Sequence, residues 1–133
     1  MIVFYLDSRS GVPPYLQIAQ QVKEAMRLGA LHVGDQLPTV WEVVERVVIQ
    51  PNTVFKAYRE LEHEGLVASR PGHGTFVIRT LPATSLASHA AVRRSFERWL
   101  ADAREVGLDD ESVLALVHSV LRAARHVEDE HLA

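Results

Sequence analysis

The sequence predicts a mainly α-helical fold with one small β-hairpin, in the order three helices, hairpin, two further helices. The first observation is a series of segments whose apolar residues recur every three to four positions, the period of a helix with one buried face. The second is a Pro-Gly-His-Gly turn between two short β-prone runs. The third is the stretch from residue 85 onward, where the pattern is helical throughout.

The composition is that of an ordinary globular protein. Among 133 residues, 47% are hydrophobic, 23% are charged and none is cysteine. The lack of cysteine excludes a disulfide scaffold, thiol catalysis and cysteine-ligated metals. The start, MIVFYL, has neither the basic leader nor the length of a secretory signal, and no run approaches the ~18 apolar residues of a membrane span. We therefore expect a soluble cytoplasmic protein with no membrane partner.

The first helix is predicted to follow a short apolar, β-prone run at Ile2 to Leu6 and a loop. Pro13 and Pro14 suit the first turn of a helix, and Gly29 closes it. Between them one face is apolar, formed by Tyr15, Ile18, Ala19, Val22 and Met26.

The second helix is short and is predicted to begin at Thr39. Thr39 and Glu42 have the spacing of a capping box, in which each side chain satisfies a backbone N–H of the opening turn. The buried stripe comprises Val40, Val43, Val44 and Val47. Only residues 48–50 separate this helix from the next, so the pair is predicted to form a helix-turn-helix.

The third helix is predicted from Pro51 to the residue before Gly65. Proline suits a first turn and glycine suits the position just past a helix end. Its apolar stripe is Val54, Ala57, Tyr58 and Leu61, and the opposite face carries Asn52, Thr53, Phe55, Lys56 and Arg59. Amides, hydroxyls and cations are the groups that contact phosphates and base edges in a DNA major groove. Alone, this pattern also fits an ordinary amphipathic surface helix.

A hairpin is predicted next, with strands at residues 66–69 and 75–78. Three helices followed by a glycine-rich hairpin is the order of a winged helix. Gly72 and Gly74 would let the backbone approach a phosphate or a minor groove, with Arg70 and His73 in reach. A plain solvent-exposed hairpin is the alternative for an isolated turn of this kind.

The tail is predicted to be a helical hairpin with more apolar surface than one chain can bury. Its apolar residues recur at alternating steps of three and four, as in a coiled-coil seam, and Gly107 separates the two helices. Dimerisation would cover the excess. The predicted dimer interface comprises Val92, Phe96, Trp99, Ala103, Val113, Val117, Val120, Leu121 and Ala124. The predicted organisation is thus a winged helix-turn-helix domain at 1–78, a linker at 79–84 and a two-helix dimerisation tail at 85–133.

The net charge opposes nucleic-acid binding through bulk electrostatics. The chain carries a formal charge of −3, and residues 1–78 hold seven Lys or Arg against eight Asp or Glu. DNA binding would therefore depend on a local arrangement of a few groups, with the carboxylates turned away.

Three segments resemble one known family. GALHVGDQLPTVWEV, QPNTVFKAYRELEHEGLV and SRPGHGTFV are similar to the N-terminal winged helix of GntR-type bacterial transcriptional regulators, and PPYLQI with the two-helix tail is similar to their YtrA subfamily. The resemblance covers almost the whole chain. It implies a homodimeric, repressor-type regulator that binds a palindromic double-stranded DNA operator. The contacts it implies are Thr39, Gln50, Asn52, Thr53, Lys56 and Arg59, with Gly72, His73 and Gly74 in the wing.

Three residues depart from the family's pattern. Trp41 stands where an arginine is usual, Phe55 where a basic residue is common, and Val48 where the turn often has glycine. Valine is ill suited to positive φ. Trp41 and Phe55 place aromatics on the face expected to meet DNA, where Phe55 would press on a thymine methyl. The alternative is a winged-helix interaction module with weak or lost DNA binding, in which both aromatics contact a protein.

An enzyme is not predicted, because the sequence has no phosphate-binding glycine loop and no nucleophile-elbow serine. We predict no cofactor and no metal: His126 and Glu130 share a helical face, but terminal charge runs usually stay solvated. The sequence does not identify a small-molecule effector. One would have to act at the dimer interface or the domain junction.

Overall fold

The computed structural model describes residues 2–82 and 86–132 and contains five helices and a two-stranded antiparallel sheet in that part of the chain. The elements are α1 (Pro14–Arg27), α2 (Val40–Arg46), α3 (Pro51–His63), β1 (Val67–Arg70), β2 (Gly74–Val77), α4 (Leu86–Glu105) and α5 (Asp110–Leu132). The predicted fold class is confirmed: a winged helix-turn-helix followed by two helices.

The chain divides into two compact units after His89. The predicted linker at 79–84 precedes this division, and its residues 83 and 84 lie outside the described residues, as does residue 85. One contact explains why the start of α4 belongs with the first unit: the His89 imidazole Nε2 lies 2.5 Å from the carbonyl oxygen of Leu28.

The core of the first unit is built from the predicted helical stripes. All four stripe residues of α3 are buried, as are the predicted core residues of α1 apart from half-buried Tyr15. On α2, Val40 and Val43 are buried, whereas Val44 and the residue that follows the helix, Val47, are half-buried against the same core. Burying a side chain of this size contributes about 1.5–3 kcal/mol, so packing explains why the valine-rich α2 is helical despite poor intrinsic propensity.

The α3 helix ends as the glycine position predicted. Gly65 has φ +75°, and its N–H donates to the Glu62 carbonyl at 2.9 Å, while the Leu66 N–H donates to the Leu61 carbonyl at 3.1 Å. These two bonds satisfy carbonyls that a helix end otherwise leaves free, and they turn the chain into β1.

The β-prone start is not a strand in the part of the chain that the structure describes. The side-chain amide of Gln21 replaces a neighbouring strand: its Nε2 donates to the Tyr5 carbonyl at 2.6 Å, and its Oε1 accepts the Tyr5 N–H at 2.9 Å. Buried Gln17 similarly accepts the Asp7 N–H at 2.8 Å. Two glutamines that the sequence places on a helix thus hold the start of the chain against α1.

The hairpin forms one residue away from the predicted bounds on each strand. Val67 pairs with Val77 and Arg70 with Gly74, so both strands extend to the turn. The His73 N–H donates to the Arg70 carbonyl at 2.9 Å and closes the three-residue loop 71–73.

In the second unit, α4 and α5 are joined by a turn at Gly107. Asp109 immediately precedes α5, and its carboxylate accepts the Ser112 N–H at 2.9 Å. That bond lowers the pKa of the Asp109 carboxyl below its usual value, because the charged form is the better acceptor. Among the described helices, none is long and apolar enough to cross a membrane.

Candidate nucleic-acid interface

Side-chain hydrogen bonds of Thr39 and Tyr58 hold the two helices of the helix-turn-helix in place. The Thr39 hydroxyl accepts the Glu42 N–H at 3.2 Å and caps α2, which is one of the two bonds of a capping box. Buried Tyr58 of α3 donates its O–H to the Pro38 carbonyl at 2.6 Å. Burial, reinforced by the charge of Glu42, raises the pKa of the Tyr58 phenol, so this donor stays protonated. These bonds hold α3 against the start of α2.

The turn between α2 and α3 does not require a left-handed residue. Val47 and Gln50 are both extended, with φ of −131° and −75°, and no described residue other than glycine has positive φ. The concern that Val48 strains this turn is therefore wrong, because Val48 does not have the positive φ that valine rarely adopts. Its side chain is fully exposed.

The predicted contact residues of α3 lie on its outward face. Gln50, Asn52, Phe55, Lys56 and Arg59 are exposed, and Thr53 is half-buried. No side chain caps the N-terminus of α3 and its first turn holds no acidic residue. Its opening N–H groups are therefore not occupied by a capping side chain, and its dipole favours an anion there.

Lys56 is exposed but its ammonium is not free in solution. Its Nζ lies 4.0 Å from the centroid of the Tyr15 ring at the start of α1. A cation over an aromatic face is held by the ring quadrupole, worth about 0.5–1 kcal/mol at an exposed site. The contact restricts the lysine to the edge of α3 that faces α1.

Trp41 and Phe55 line the same cleft. It lies between α2, α3 and the wing, has a volume of about 240 Å³, and is also lined by Thr39, Arg59 and Thr75. Trp41 is 63% exposed and Phe55 47% exposed. The structure therefore brings the two departures from the family's pattern together on one surface.

The wing presents its predicted residues at the tip. Arg70 and His73 are exposed, and the Arg70 guanidinium lies 5.1 Å from the centroid of the Phe76 ring. Gly72 and Gly74 have φ of +78° and +118°, which non-glycine residues rarely adopt.

Charges are separated along α3. Lys56 and Arg59 lie in its middle, whereas Glu60, Glu62 and Glu64 follow at its C-terminal end. The Glu64 carboxylate also pairs with Lys23 of α1 at 2.7 Å. The N-terminal half of α3 thus carries no carboxylate.

The predicted dimer residues fall into two groups. Ala103 and Val113 flank the turn of the second unit and are buried there. Val92, Phe96, Val120, Leu121 and Ala124 are exposed, and Trp99 and Val117 are half-buried. Phe96 and Trp99 stack with ring centroids 5.5 Å apart. An apolar helix surface of this extent in a single chain is typical of an interface.

Sequence reasoning missed two residues that bear on this surface, Tyr15 and Gln36. The helical pattern predicts only a core role for Tyr15. No pattern in the sequence marks Gln36, yet its side-chain amide contacts the wing. No local signal reveals either role, because each contact joins residues far apart in the chain.

The sequence model of the bacterial regulatory proteins, gntR family, matches residues 14–77. The HTH-type transcriptional repressor YtrA of Bacillus subtilis is 35% identical over 109 residues, which are 81% of this chain and 84% of that protein. The chain belongs to the GntR family. The HTH-type transcriptional regulator Rv1152 of Mycobacterium tuberculosis is 33% identical over 94% of this chain and 93% of that protein.

Solved structures agree with the GntR assignment. YtrA from Sulfolobus acidocaldarius, a GntR-family transcription factor, superposes with a TM-score of 0.55 at 29% identity, covering 75% of this chain and 99% of that one. The DNA-binding domain of AraR in complex with its operator ORX1 gives a TM-score of 0.50 at 26% identity, covering 58% of this chain and 95% of that one. The relatives are transcriptional regulators, and none of those described is named as an enzyme.

Proposed function

We propose that this GntR-family chain is a sequence-specific DNA-binding transcriptional regulator of the repressor type, which binds a palindromic operator as a homodimer. The observation that carries the proposal is the outward face of α3. Its apolar stripe is buried, while an amide, an aromatic ring and two cations stand exposed at Asn52, Phe55, Lys56 and Arg59. A short helix braced by a capped neighbour and exposing such groups suits a major groove.

Each exposed group has a role under this proposal. Asn52 and Gln50 carry amides that bond base edges, and Asn is suited to adenine because it bonds two of its atoms at once. Thr39 and Thr53 supply hydroxyls, and Lys56 and Arg59 supply cations, for phosphate oxygens that fix the register of α3. Trp41 and Phe55 supply apolar surface.

The wing has a separate role. Arg70 and His73 stand at its tip, and glycine at 72 and 74 leaves the backbone without side chains to block a close approach. We assign the tip to the phosphates or minor groove beside the major groove that α3 occupies.

The negative net charge is compatible with this proposal because the charges are segregated. The first turn of α3 holds no carboxylate, and the exposed cations of the proposed surface, Lys56, Arg59 and Arg70, lie in the middle of α3 and on the wing. Glu62 lines the cleft of Trp41 and Phe55, nearer the C-terminal end of α3. Electrostatic attraction falls off over about 8–10 Å at physiological salt, so the local arrangement outweighs the overall charge.

The relatives support the same conclusion. YtrA of Bacillus subtilis is named a repressor, and the AraR domain that shares this fold was solved on an operator. The exposed apolar surface of α4 and α5 supports a homodimer, in which two α3 helices would lie about one DNA turn, roughly 34 Å, apart.

The test is a salt series of binding to DNA from the protein's own promoter region. Phosphate contacts release counterions, so we expect affinity to fall steeply with salt, and Lys56→Ala to reduce the logarithmic slope by about one unit per protomer. Asn52→Ala should weaken specific binding by roughly fivefold to a hundredfold while leaving non-specific binding unchanged. Arg27→Ala, which removes an exposed cation at the far end of α1, is the matched control and should change neither quantity.

The absence of any specific complex would contradict the proposal, as would a change in affinity of half a logarithmic unit or less between low and moderate salt. The second candidate, a winged-helix module that binds a protein through Trp41 and Phe55, is favoured by the cleft that these residues share. It predicts that Phe55→Ala abolishes a protein complex and leaves DNA binding untouched.

A further inference from the structure

The loop before α2 runs alongside β2 and is joined to it by backbone hydrogen bonds. The Gly34 N–H donates to the Val77 carbonyl at 2.8 Å, and the Val77 N–H donates to the Asp35 carbonyl at 2.8 Å. The Leu37 N–H then donates to the Thr75 carbonyl at 2.9 Å. This backbone ladder joins the base of the hairpin to the helix-turn-helix, but it stops before the tip.

One side chain continues the connection to the tip. The Gln36 amide Nε2 donates to the His73 carbonyl oxygen at 3.0 Å. Among the side-chain hydrogen bonds of the described residues, this is the bond that reaches the loop 71–73. Gln36 therefore links the segment that leads into α2 with the residue that the wing presents.

Gly74 makes room for this link. A Cβ atom built at Gly74 would lie 2.5 Å from Gln36 Nε2, which is closer than a Cβ atom and a non-bonded nitrogen approach in proteins. Its φ of +118° is also one that other residues rarely adopt. Any side chain at position 74 would displace the Gln36 amide from the His73 carbonyl.

We propose that Gln36 is a positioning residue of the wing, whose amide holds loop 71–73 so that the His73 side chain is presented to double-stranded DNA. The inference rests on the proposed function. A hairpin tip tied only by its own backbone loses conformational freedom when it binds, and that loss subtracts from affinity. An amide that orders the tip beforehand reduces this cost, so Gln36 raises affinity without touching DNA itself.

The principal variant is Gln36→Met, which keeps the length of the side chain and its lack of charge but removes the donor. Gln20→Met, the same change on the exposed face of α1, is the matched control. Two quantities are measured: amide hydrogen exchange at His73 in the free protein by NMR, and affinity for promoter DNA. The first requires no DNA, so it tests the Gln36 contact even if the protein proves not to bind DNA.

We expect Gln36→Met to speed exchange at the His73 amide, whose N–H closes the loop, while exchange within α3 stays unchanged. Affinity should fall about two- to tenfold, the value of one hydrogen bond at a surface. In a His73→Ala background the same change should have no further effect, because the tip then has no side chain to present. Gly74→Ala should reproduce the exchange result.

Unchanged exchange at His73 in Gln36→Met would overturn the inference, as would an equal loss of affinity with and without His73. If the wild-type protein forms no specific DNA complex, the proposed function fails, and faster exchange at His73 would still establish the contact while the role in DNA presentation would be rejected.

Discussion

At the scale of single residues, Phe55 is the side chain on the outward face of α3 whose chemistry differs most from its neighbours. It is 47% exposed between polar and cationic groups, so it gains little from the protein core. An exposed aromatic ring on a helix proposed to enter the major groove has one apolar feature to meet there, the 5-methyl group of thymine.

We expect wild-type protein to distinguish thymine from uracil in its operator. Burying one methyl group contributes about 0.8 kcal/mol, so replacing the contacted thymine by uracil should weaken binding roughly fourfold. Phe55→Ala should bind both DNAs equally, and at about the affinity of wild type for the uracil DNA. Titrations on operators with single thymine-to-uracil replacements measure this.

Asn52→Ala serves as the comparison, because it should weaken binding to both DNAs and preserve their ratio. Wild-type protein that ignores every single replacement would show that Phe55 does not read thymine. In that case its cleft with Trp41 would remain as a surface for a protein partner.

The cation–π contact between Lys56 and Tyr15 is a second feature at the scale of single residues. The Lys56 ammonium lies 4.0 Å from the centroid of the Tyr15 ring, so the lysine side chain is already held in position in the protein without DNA. Tyr15→Leu should therefore weaken DNA binding by about two- to fivefold, the value of an exposed cation–π contact, while Tyr15→Phe, which keeps the ring, should not. Affinity measurements at one fixed salt concentration are sufficient.

The effect of Tyr15→Leu should vanish in a Lys56→Met background if it acts through the ammonium. An equal loss with Lys56 absent would instead show that Tyr15 matters only through its packing, since it is half-buried against the core.

At the scale of elements, the turn between α2 and α3 shows how a family pattern misleads when one position is considered alone. Val48 suggested strain because glycine is common there, yet the flanking backbone is extended and no described non-glycine residue has positive φ. We expect Val48→Gly to lower the free energy of unfolding by about 0.5–1 kcal/mol, because glycine adds freedom to the unfolded chain.

Chemical denaturation measures this change, and Val48→Ala is the control. The Val48 side chain is fully exposed, so the alanine variant should stay within about 0.5 kcal/mol of wild type. A glycine variant more stable than wild type would mean that the turn does need a left-handed residue.

The elements themselves were predictable because their causes are local. The stripe of α3, its Pro51 start and its Gly65 end depend on residues within one or two turns, and all three are found. The glutamine contacts were not predictable. The Gln21 side chain bonds the backbone of Tyr5, 16 positions away, and the Gln36 side chain bonds the carbonyl of His73, 37 positions away. An amide on a helix or loop gives no sign of which distant backbone group it will meet.

The candidate surface divides in the same way. Exposure of the polar face of α3 follows from the helical period, so Asn52, Lys56 and Arg59 were placed correctly on one side. The position of the Lys56 ammonium depends on where α1 crosses α3. The shared cleft of Trp41 and Phe55 depends on the angle between α2 and α3. Neither arrangement is encoded within a single segment.

At the scale of the whole molecule, the second unit has apolar surface that one chain leaves uncovered. Phe96 and Leu121 are each about half exposed, and Val92 is 67% exposed. Exposing apolar surface to water costs about 25 cal/mol for each Å², and a second copy of the chain that covered this surface would remove that cost. Contact between two copies through this surface would also fix the distance between their two α3 helices.

We expect Phe96→Glu to shift the protein from a dimer to a 15 kDa monomer at micromolar concentration, because a carboxylate buried without a partner opposes association. Sedimentation gives the mass. Operator affinity should fall by at least a hundredfold, since a monomer keeps one reading helix and loses the second binding event. Ala101→Glu introduces the same charge on the opposite face of α4, where the side chain is also exposed, and should leave both mass and affinity unchanged. Wild-type protein that sediments as a monomer would exclude the homodimer, and the operator would then have to be a single half-site.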